Sequence, residues 1–227
     1  MGNVQYTTNI DTYETKYKIG YGHEYPDGHV IRIHRHVLLH ELGLKGGKIL
    51  DYGCGTGVYL QYFAEHGFEP YGCDISAVAI EKCKARLPEH ADRFHVIPSV
   101  PRLRDFFSED FDFVFSNQTL YYLNDADMSN VLKQLYDVMK PGAVIYASMI
   151  SPESYYTKRV EGTVNGLSKV VLRGRIEETT FINFKDRNQV AELFASHGFK
   201  KVQLGHYGYL IREDEGPRHH HFFVGVK

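Results

Sequence analysis

The sequence predicts an α/β fold, a doubly wound and mostly parallel seven-stranded sheet that ends in an antiparallel β-hairpin. Between residues 48 and 150, five strand-like runs alternate with helical patterns, which is typical of parallel strands covered by helices on both faces. Two more strand-like runs, about 199–209 and 219–226, flank the polar turn Glu213–Pro217 and should pair as the hairpin. The 227 residues suffice for one well-buried core, so we expect a single domain over 1–227.

Apolar runs predict the strands, and apolar residues at helical spacing with capping or terminating residues predict the helices. Ser76 should cap one helix, and Asn124 or Asp125 another, because short polar side chains accept hydrogen bonds from the first N–H groups of a helix. Asp186 and Gln189 form a capping-box pattern, whereas Pro141-Gly142 should end a helix. The predicted strands of the alternating region are 48–52, 69–74, 93–98, 111–116 and 143–150, and the predicted helices are 28–42, 57–66, 76–88, 101–107, 125–139 and 186–197.

Two segments interrupt this regular pattern. Residues 1–27 are polar and aromatic with Gly20 and Gly22, and we interpret them as a short helix or loop that closes over a site as a lid. Residues 151–185 form an insertion with two strand-like runs, Lys169–Leu172 and Ile176–Phe184. We expect both segments to enclose a small ligand.

Composition and charge exclude several classes of protein. The formal net charge of -2 gives no global reason to expect a nucleic-acid partner. No apolar run approaches the ~20 residues of a membrane span, and the N-terminal residues contain no apolar signal-peptide region. The three cysteines lack a CxxC spacing, which suits reduced thiols in a cytoplasmic protein. Whether the chain is a monomer or a homodimer stays open.

The most informative segment is Ile49–Gly57, where a strand ends in Asp51 and runs into Gly53, Gly55 and Gly57. Such spacing lets the backbone turn tightly and lie against a ligand with no side chain between them. At the end of the next strand, Asp74 is placed to accept hydrogen bonds from both hydroxyls of a ribose. These features by themselves allow either a dinucleotide or another nucleoside ligand.

The segment closely resembles motif I of the class I S-adenosylmethionine (SAM)-dependent methyltransferases, and the predicted element order resembles their seven-stranded fold throughout. The resemblance implies SAM as cofactor and S-adenosylhomocysteine as product. It also implies that Asp51 lies near the amino group of the ligand and that the glycine turn lies near its methionyl portion. Ser99 stands where many members of the family carry an aspartate that binds adenine. The residues predicted to bind the cofactor are Asp51, Gly53, Cys54, Gly55, Gly57, Asp74, Ile75, Ser99, Val100 and Asn117.

The loop after the fourth strand is expected to face the acceptor. It lacks the Asn/Asp-Pro-Pro-Tyr motif of members that methylate DNA adenine or glutamine amides, which argues against those substrates. Many small-molecule members carry Leu-x-His-hydrophobic there, and Tyr122 replaces the His. A tyrosine is a poor base at neutral pH because its pKa is near ~10. We therefore nominate His23 as the catalytic base and Tyr122 as a positioning residue, with Tyr21, Gln118, Tyr121 and Arg173 binding the acceptor.

The sequence leaves two other functions open. A nicotinamide-dependent oxidoreductase would prefer Gly-x-Gly-x-x-Gly, and the Tyr136–Lys140 pair lies at the wrong edge of the predicted sheet for a dehydrogenase. A non-catalytic SAM-binding protein would retain the same glycine turn. The histidines His36 and His40, and those at 219–221, lack further recognisable ligands, so we expect no metal site. The favoured prediction is methyl transfer to an oxygen or nitrogen of a small polar metabolite, such as a sugar or a phosphorylated compound.

Overall fold

The computed structural model describes residues 4–20, 22, 24–173, 177–210 and 216–227. The helices are α1 (Val4–Lys18), α2 (Gly28–Ile33, which continues as a π-helix over His34–Glu41), α3 (Val58–Ala64), α4 (Ala77–Arg86), α5 (Asp125–Asp137) and α6 (Arg187–Ser196). The strands are β1 (Gly47–Tyr52), β2 (Phe68–Asp74), β3 (Phe94–Val96), β4 (Phe111–Ser116), β5 (Met139–Ile150), β6 (Val160–Val164), β7 (Leu167–Arg173), β8 (Glu177–Ile182), β9 (Lys200–Tyr209) and β10 (Arg218–Val226). Short 3-10 turns occur at Pro88–Arg93, Leu103–Asp105, Leu120–Tyr122 and Tyr155–Arg159.

Seven strands form the main sheet in the order β3-β2-β1-β4-β5-β10-β9. The first five are parallel to their neighbours, whereas β10 is antiparallel to both β5 and β9. This arrangement confirms the predicted doubly wound sheet and its terminal hairpin. The strand order reverses between β1 and β4, and ligands of such sheets bind in the crevice beyond the carboxyl ends of the strands at that point.

Each face of the sheet is covered by its own apolar core. Neighbouring residues of a strand point to opposite faces, so Ile49 and Leu50 of β1 contribute to different cores, as do Phe113 and Val114 of β4. All four side chains are fully buried. Burial on both faces explains why these strands read as continuous apolar runs in the sequence.

The caps confirm three predicted helix starts. Ser76 Oγ accepts a hydrogen bond from Ala79 N, and Asn124 accepts one from Asp127 N. Asp186 and Gln189 form the full capping box at the start of α6. Local side chain to backbone hydrogen bonds of this kind depend on a few adjacent residues, which makes them readable from the sequence.

The predicted boundary between α5 and β5 is wrong. The helix ends at Asp137, and β5 begins at Met139, so Pro141-Gly142 lies inside the strand instead of ending the helix. Met139 pairs with Phe111, and the next pair, Phe113 with Val144, follows after a register shift. The extra residues on β5 interrupt its regular pairing with β4, and a proline, which donates no backbone hydrogen bond, is tolerated at such an interruption.

The insertion forms a separate antiparallel sheet in the order β6-β7-β8. Two of its strands were predicted, but β6 was not. Every residue of β6 is exposed, so the strand carries no alternation of buried and exposed residues. The predicted helix at 101–107 is a single turn at Leu103–Asp105, and β3 is shorter than predicted. Within the described ranges, no helix has both the length and the apolar character needed to cross a membrane.

Candidate functional site

A cavity of about 170 Å³ opens beyond the carboxyl ends of β1, β2 and β4. Ten of the residues predicted from the sequence line it, which places the two strand-end motifs and the loop after β4 around one space. These residues are Gly53, Cys54, Gly55, Asp74, Ile75, Ser99, Asn117, Gln118, Tyr121 and Tyr122. Asp51 is buried at the end of β1 and is absent from the lining of the cavity, as are Gly57 and Val100.

The glycine loop after β1 packs so tightly that only glycine fits at key positions. Gly53 has φ +83°, and a Cβ there would lie 2.2 Å from Thr119 Oγ1 in the loop after β4. Gly55 has φ +53°, and a Cβ there would lie 3.0 Å from Tyr17 Oη of α1. Gly53 and Gly55 both line the cavity, so the backbone at these two positions can be approached by a ligand.

Asp74 connects the glycine loop to the start of α4. Its Oδ2 accepts a hydrogen bond from Gly55 N at 2.9 Å, and its Oδ1 accepts one from Ser76 N at 2.9 Å. Burial raises the pKa of this carboxyl, and the backbone N–H groups oppose that rise. Each carboxylate oxygen can accept a second hydrogen bond, so Asp74 can hold the loop and bind the hydroxyls of a ligand together.

Asp51 is a second buried carboxyl group near Asp74. Its side chain is about 1% exposed, and its Oδ2 has no hydrogen-bond partner among the described residues. Burial, followed by the nearby Asp74 charge, raises the Asp51 pKa well above its ordinary value. A buried acceptor without a donor, beside a second carboxylate, fits a cationic ligand group such as the ammonium of SAM.

The charges around the cavity also distinguish the candidate cofactors. Among the described residues that line it, Asp74 is charged and none is Lys, Arg or His. The pyrophosphate of a nicotinamide cofactor would bring anionic charge close to Asp51 and Asp74, and like charges repel. The lining therefore fits SAM better than a nicotinamide dinucleotide.

Asn117 is the centre of a polar network beneath the loop after β4. Its Oδ1 accepts a hydrogen bond from Ser148 Oγ at 2.8 Å, and its Nδ2 donates to Tyr59 Oη at 3.0 Å. Tyr59 Oη in turn donates to Asp27 Oδ2 at 2.7 Å. The next residue, Gln118, has φ +58°, a left-handed conformation that is uncommon for a side chain of its size, and its backbone N donates to Ser148 Oγ at 2.8 Å. The network thus fixes a strained segment in contact with the cavity.

Helix α1 supplies side chains that the sequence interpretation did not assign. Asn9, Tyr13 and Tyr17 line the cavity, and Tyr17 approaches the glycine loop at Gly55. The available signal was the concentration of tyrosines near the N-terminus, seven of 17 before residue 60. That composition predicts a segment that closes over the site, but it does not predict which side chains of the helix face the cavity.

Tyr122 belongs to the loop after β4 and contacts α1. Its hydroxyl forms a short hydrogen bond with the Tyr13 hydroxyl. Burial, followed by the neighbouring Tyr13, raises the pKa of Tyr122 well above its ordinary value. The Tyr122 hydroxyl therefore keeps its proton at neutral pH, which excludes it as a general base in this conformation.

A smaller cavity of about 40 Å³ adjoins the first. Tyr13, Gln118, Tyr121 and Tyr122 line both spaces. Residues of α1, the insertion and the start of β10 complete its wall. The two cavities are therefore adjacent, and α1 contributes to the wall of both.

Arg173, which was predicted to bind the acceptor, lies away from both cavities. The Arg173 side chain is 66% exposed, pairs with Glu161 at 2.7 Å and contributes to neither cavity. Arg173 lies on β7, which belongs to the separate three-stranded sheet. The sequence did not predict where that sheet places the arginine. His23 and Tyr21 lie outside the described residues.

Sequence comparisons identify relatives over part of the chain. Residues 27–204 match the family described as a methyltransferase domain. A malonyl-[acyl-carrier protein] O-methyltransferase of Salmonella typhimurium is 29% identical over 103 residues, which cover 45% of this chain and 39% of that protein. A carboxy-S-adenosyl-L-methionine synthase of Shewanella loihica is 29% identical over 106 residues, 44% of this chain and 43% of that protein. The chain thus matches less than half the length of these curated relatives.

Solved structures resemble the chain over nearly its full length. The 1,6-didemethyltoxoflavin-N1-methyltransferase of Burkholderia thailandensis, solved with its substrate and S-adenosylhomocysteine, has a TM-score of 0.66 at 17% identity and covers 100% of this chain and 91% of that one. The magnesium protoporphyrin IX methyltransferase of Synechocystis, with bound S-adenosylhomocysteine, has a TM-score of 0.64 at 16% identity, covering 99% and 97%. At these identities the likeness establishes the fold.

Proposed function

This chain belongs to the methyltransferase domain family, and we propose that it transfers the methyl group of SAM to an oxygen or nitrogen of a small polar acceptor. The observation that carries the proposal is the cavity at the switch point of the sheet. There the glycine loop and Asp74 line one space, and the carboxyl of Asp51 is buried close to Asp74. When bound, SAM would supply an activated methyl group on a sulfonium.

The protein's own contribution would be to bind and align two reactants. The backbone at Gly53 and Gly55 would lie against the methionyl portion, Asp74 would accept the ribose hydroxyls, and Asp51 would stabilise the ammonium. Holding an acceptor beside the donor raises the effective concentration of the reacting groups.

The acceptor is proposed to occupy the smaller cavity. A space enclosed by α1 and the insertion suits a metabolite, including a sugar or a phosphorylated compound, better than a macromolecule. The related proteins named above include an O-methyltransferase and an N-methyltransferase, and both atom types therefore remain in the proposal.

His23 is the proposed general base, and Tyr122 the proposed positioning residue. A base is needed only if the acceptor loses its proton during transfer. For His23→Ala, we expect the rate constant for methyl transfer to fall and to lose its dependence on pH near the histidine pKa. Single-turnover rates between pH 5 and 9 would measure this, and an unchanged profile would contradict the assignment.

Asp74→Ala tests the cofactor site directly. Loss of charge-assisted hydrogen bonds should weaken S-adenosylhomocysteine binding by about 10- to 100-fold, measured by calorimetry. The control is Asp105→Ala, because the Asp105 side chain is 60% exposed and lies outside the cavity. Equal affinities for the two variants would rule out the proposed site.

Turnover is a separate question from binding. Release of S-adenosylhomocysteine from SAM on addition of acceptors would distinguish a transferase from a protein that only binds the cofactor.

A further inference from the structure

The smaller cavity adjoins the proposed donor site, so the residues that line it should describe the acceptor. Gln118 and Tyr122 line both cavities, and α1 contributes to the wall of each. A molecule held in the smaller space would therefore lie next to the donor.

Two buried polar side chains in the wall of this cavity have atoms without hydrogen-bond partners. His220 of β10 is 4% exposed, and Ser154, which directly precedes the turn Tyr155–Arg159, is 1% exposed. Neither His220 Nδ1 nor Ser154 Oγ has a partner among the described residues. A buried polar group without a hydrogen bond costs free energy, and such groups are rare in folded proteins. A ligand that supplies partners here would therefore bind favourably.

The second ring nitrogen of His220 is the one that a ligand can reach. Nε2 also makes no hydrogen bond within the part of the chain that the structure describes, but it is not enclosed by protein as Nδ1 is. The ring stacks on Tyr207 with centroids 5.1 Å apart and an interplanar angle of 7°. Tyr207 Oη in turn accepts a hydrogen bond from Gln118 Nε2 at 3.3 Å. These contacts fix the plane of the imidazole beside the cavity.

The two groups are uncharged and can each donate or accept a hydrogen bond. Burial, followed by the neighbouring His29, lowers the pKa of His220 to about 3, so the ring is neutral at pH 7. A neutral imidazole has one nitrogen that donates and one that accepts, and a serine hydroxyl does both. A hydroxyl group on a ligand also does both, so it can pair with Ser154 and with either tautomer of His220.

We propose that the acceptor is a hydroxy compound whose hydroxyl groups hydrogen-bond His220 and Ser154 in the smaller cavity. This inference rests on the proposed function and names the class of its acceptor. His220 and Ser154 are binding residues in this arrangement, and they hold the acceptor beside the donor.

The test uses the full chain loaded with S-adenosylhomocysteine. The probes are simple sugars, cyclitols and phenols, each paired with an analogue in which hydrogen or methyl replaces one hydroxyl group. Calorimetry should show at least one hydroxy compound that binds about 3-fold or more tightly than its analogue, the effect expected of one hydrogen bond.

Variants then assign that preference to the two side chains. His220→Phe keeps a planar ring for stacking on Tyr207 and removes both nitrogen atoms, whereas Ser154→Ala removes the hydroxyl alone. Each should weaken binding of the preferred hydroxy compound by about 3- to 10-fold and leave S-adenosylhomocysteine binding within about 2-fold. The matched controls are His206→Phe and Ser108→Ala, because both positions are exposed and lie outside the two cavities.

Two further expectations separate binding from folding. Ser154→Ala removes a buried hydroxyl that has no partner in the ligand-free protein, so its free energy of unfolding should not fall. Its binding result therefore tests the inference even if replacing the imidazole destabilises the chain. His220→Asn, whose amide can donate and accept, should keep part of the preference.

Two results would overturn the inference while leaving the proposed function intact. One is that no hydroxy compound binds the wild type better than its analogue. The other is that His220→Phe or Ser154→Ala keeps the full preference of its control. If the wild-type chain does not bind S-adenosylhomocysteine at all, the proposed function fails and this inference fails with it.

Discussion

Asp51 lies one residue before the end of β1 and Asp74 ends β2. Because these two strands are paired in parallel, the two carboxyl groups lie near each other. Their surroundings differ, however. Asp74 accepts backbone hydrogen bonds from Gly55 and Ser76, whereas Asp51 Oδ2 has no donor among the described residues. Asp51 is therefore the carboxyl whose protonation should respond most strongly to a bound cation.

The raised pKa of Asp51 makes stability depend on pH in the ligand-free protein. The folded state keeps the Asp51 proton above the ordinary aspartate pKa of 3.8, where the unfolded chain releases it. The stabilisation is therefore full below 3.8 and is lost as the pH rises through the raised value. In Asp51→Asn, the free energy of unfolding should no longer show this decrease with pH. Urea unfolding of the wild type and the variant between pH 4 and 8 would measure it.

The same protonation should affect binding. A cation favours the ionised carboxyl, so SAM affinity should rise with pH over that range in the wild type and vary less in Asp51→Asn. Asp105→Asn, at an exposed position, serves as the control. Parallel pH profiles for wild type and Asp51→Asn would show that Asp51 does not contact the bound cation.

The residues of the site that could be predicted belong to short local patterns. Gly53, Gly55, Asp74 and Asn117 follow strand ends, and strand ends of a parallel sheet converge at one edge. Asn9 is different, because its partners Thr180 and Phe181 lie more than 170 positions along the chain. No local pattern encodes such a contact.

Helix α1 is held in place by contacts with two parts of the molecule. Glu14 accepts hydrogen bonds from Ser76 Oγ at 2.8 Å and from Val78 N at 3.3 Å, which connect α1 to α4. Asn9 and Lys16 connect it to β8 of the insertion. Since α1 lines both cavities, we expect it to move when ligands enter or leave.

Glu14→Ala tests the attachment of α1. Removing both hydrogen bonds should speed amide hydrogen exchange in α1 and raise the dissociation rate of S-adenosylhomocysteine about 5-fold, for about 1 kcal/mol of lost interaction. Asp11→Ala, at an exposed position on the same helix, is the matched control. If both variants exchange and release ligand alike, Glu14 does not fasten the helix.

The errors in element prediction also have physical causes. The predicted α5–β5 boundary is wrong because Pro141-Gly142 usually ends an element, whereas here it lies where the pairing of β5 with β4 is interrupted. Strand β6 was missed because an exposed strand has no buried face to impose a pattern.

The terminal hairpin joins the core through aromatic packing. Phe194 of α6 is fully buried and stacks on Phe223 of β10 with ring centroids 4.3 Å apart. The hairpin thus completes the sheet, and α6 packs against it.

Phe194→Ala should lower the free energy of unfolding by about 3–5 kcal/mol, because it removes buried apolar surface and leaves a cavity. Leu210→Ala, where the side chain is 55% exposed, should change it by less than about 0.5 kcal/mol. Urea denaturation measures both. A small effect for Phe194→Ala would show that α6 and the hairpin contribute little to the cooperative core.

For the proposed methyl transfer, the buried pair Asp51 and Asp74 has a consequence at the end of each turnover. Transfer of the methyl group turns a positively charged sulfonium into an uncharged thioether, which removes one of the attractions that two buried carboxyls exert on the ligand. We expect the spent cofactor to be held less tightly than the fresh one. The pocket would thereby limit product inhibition and favour exchange of the used donor for a new one.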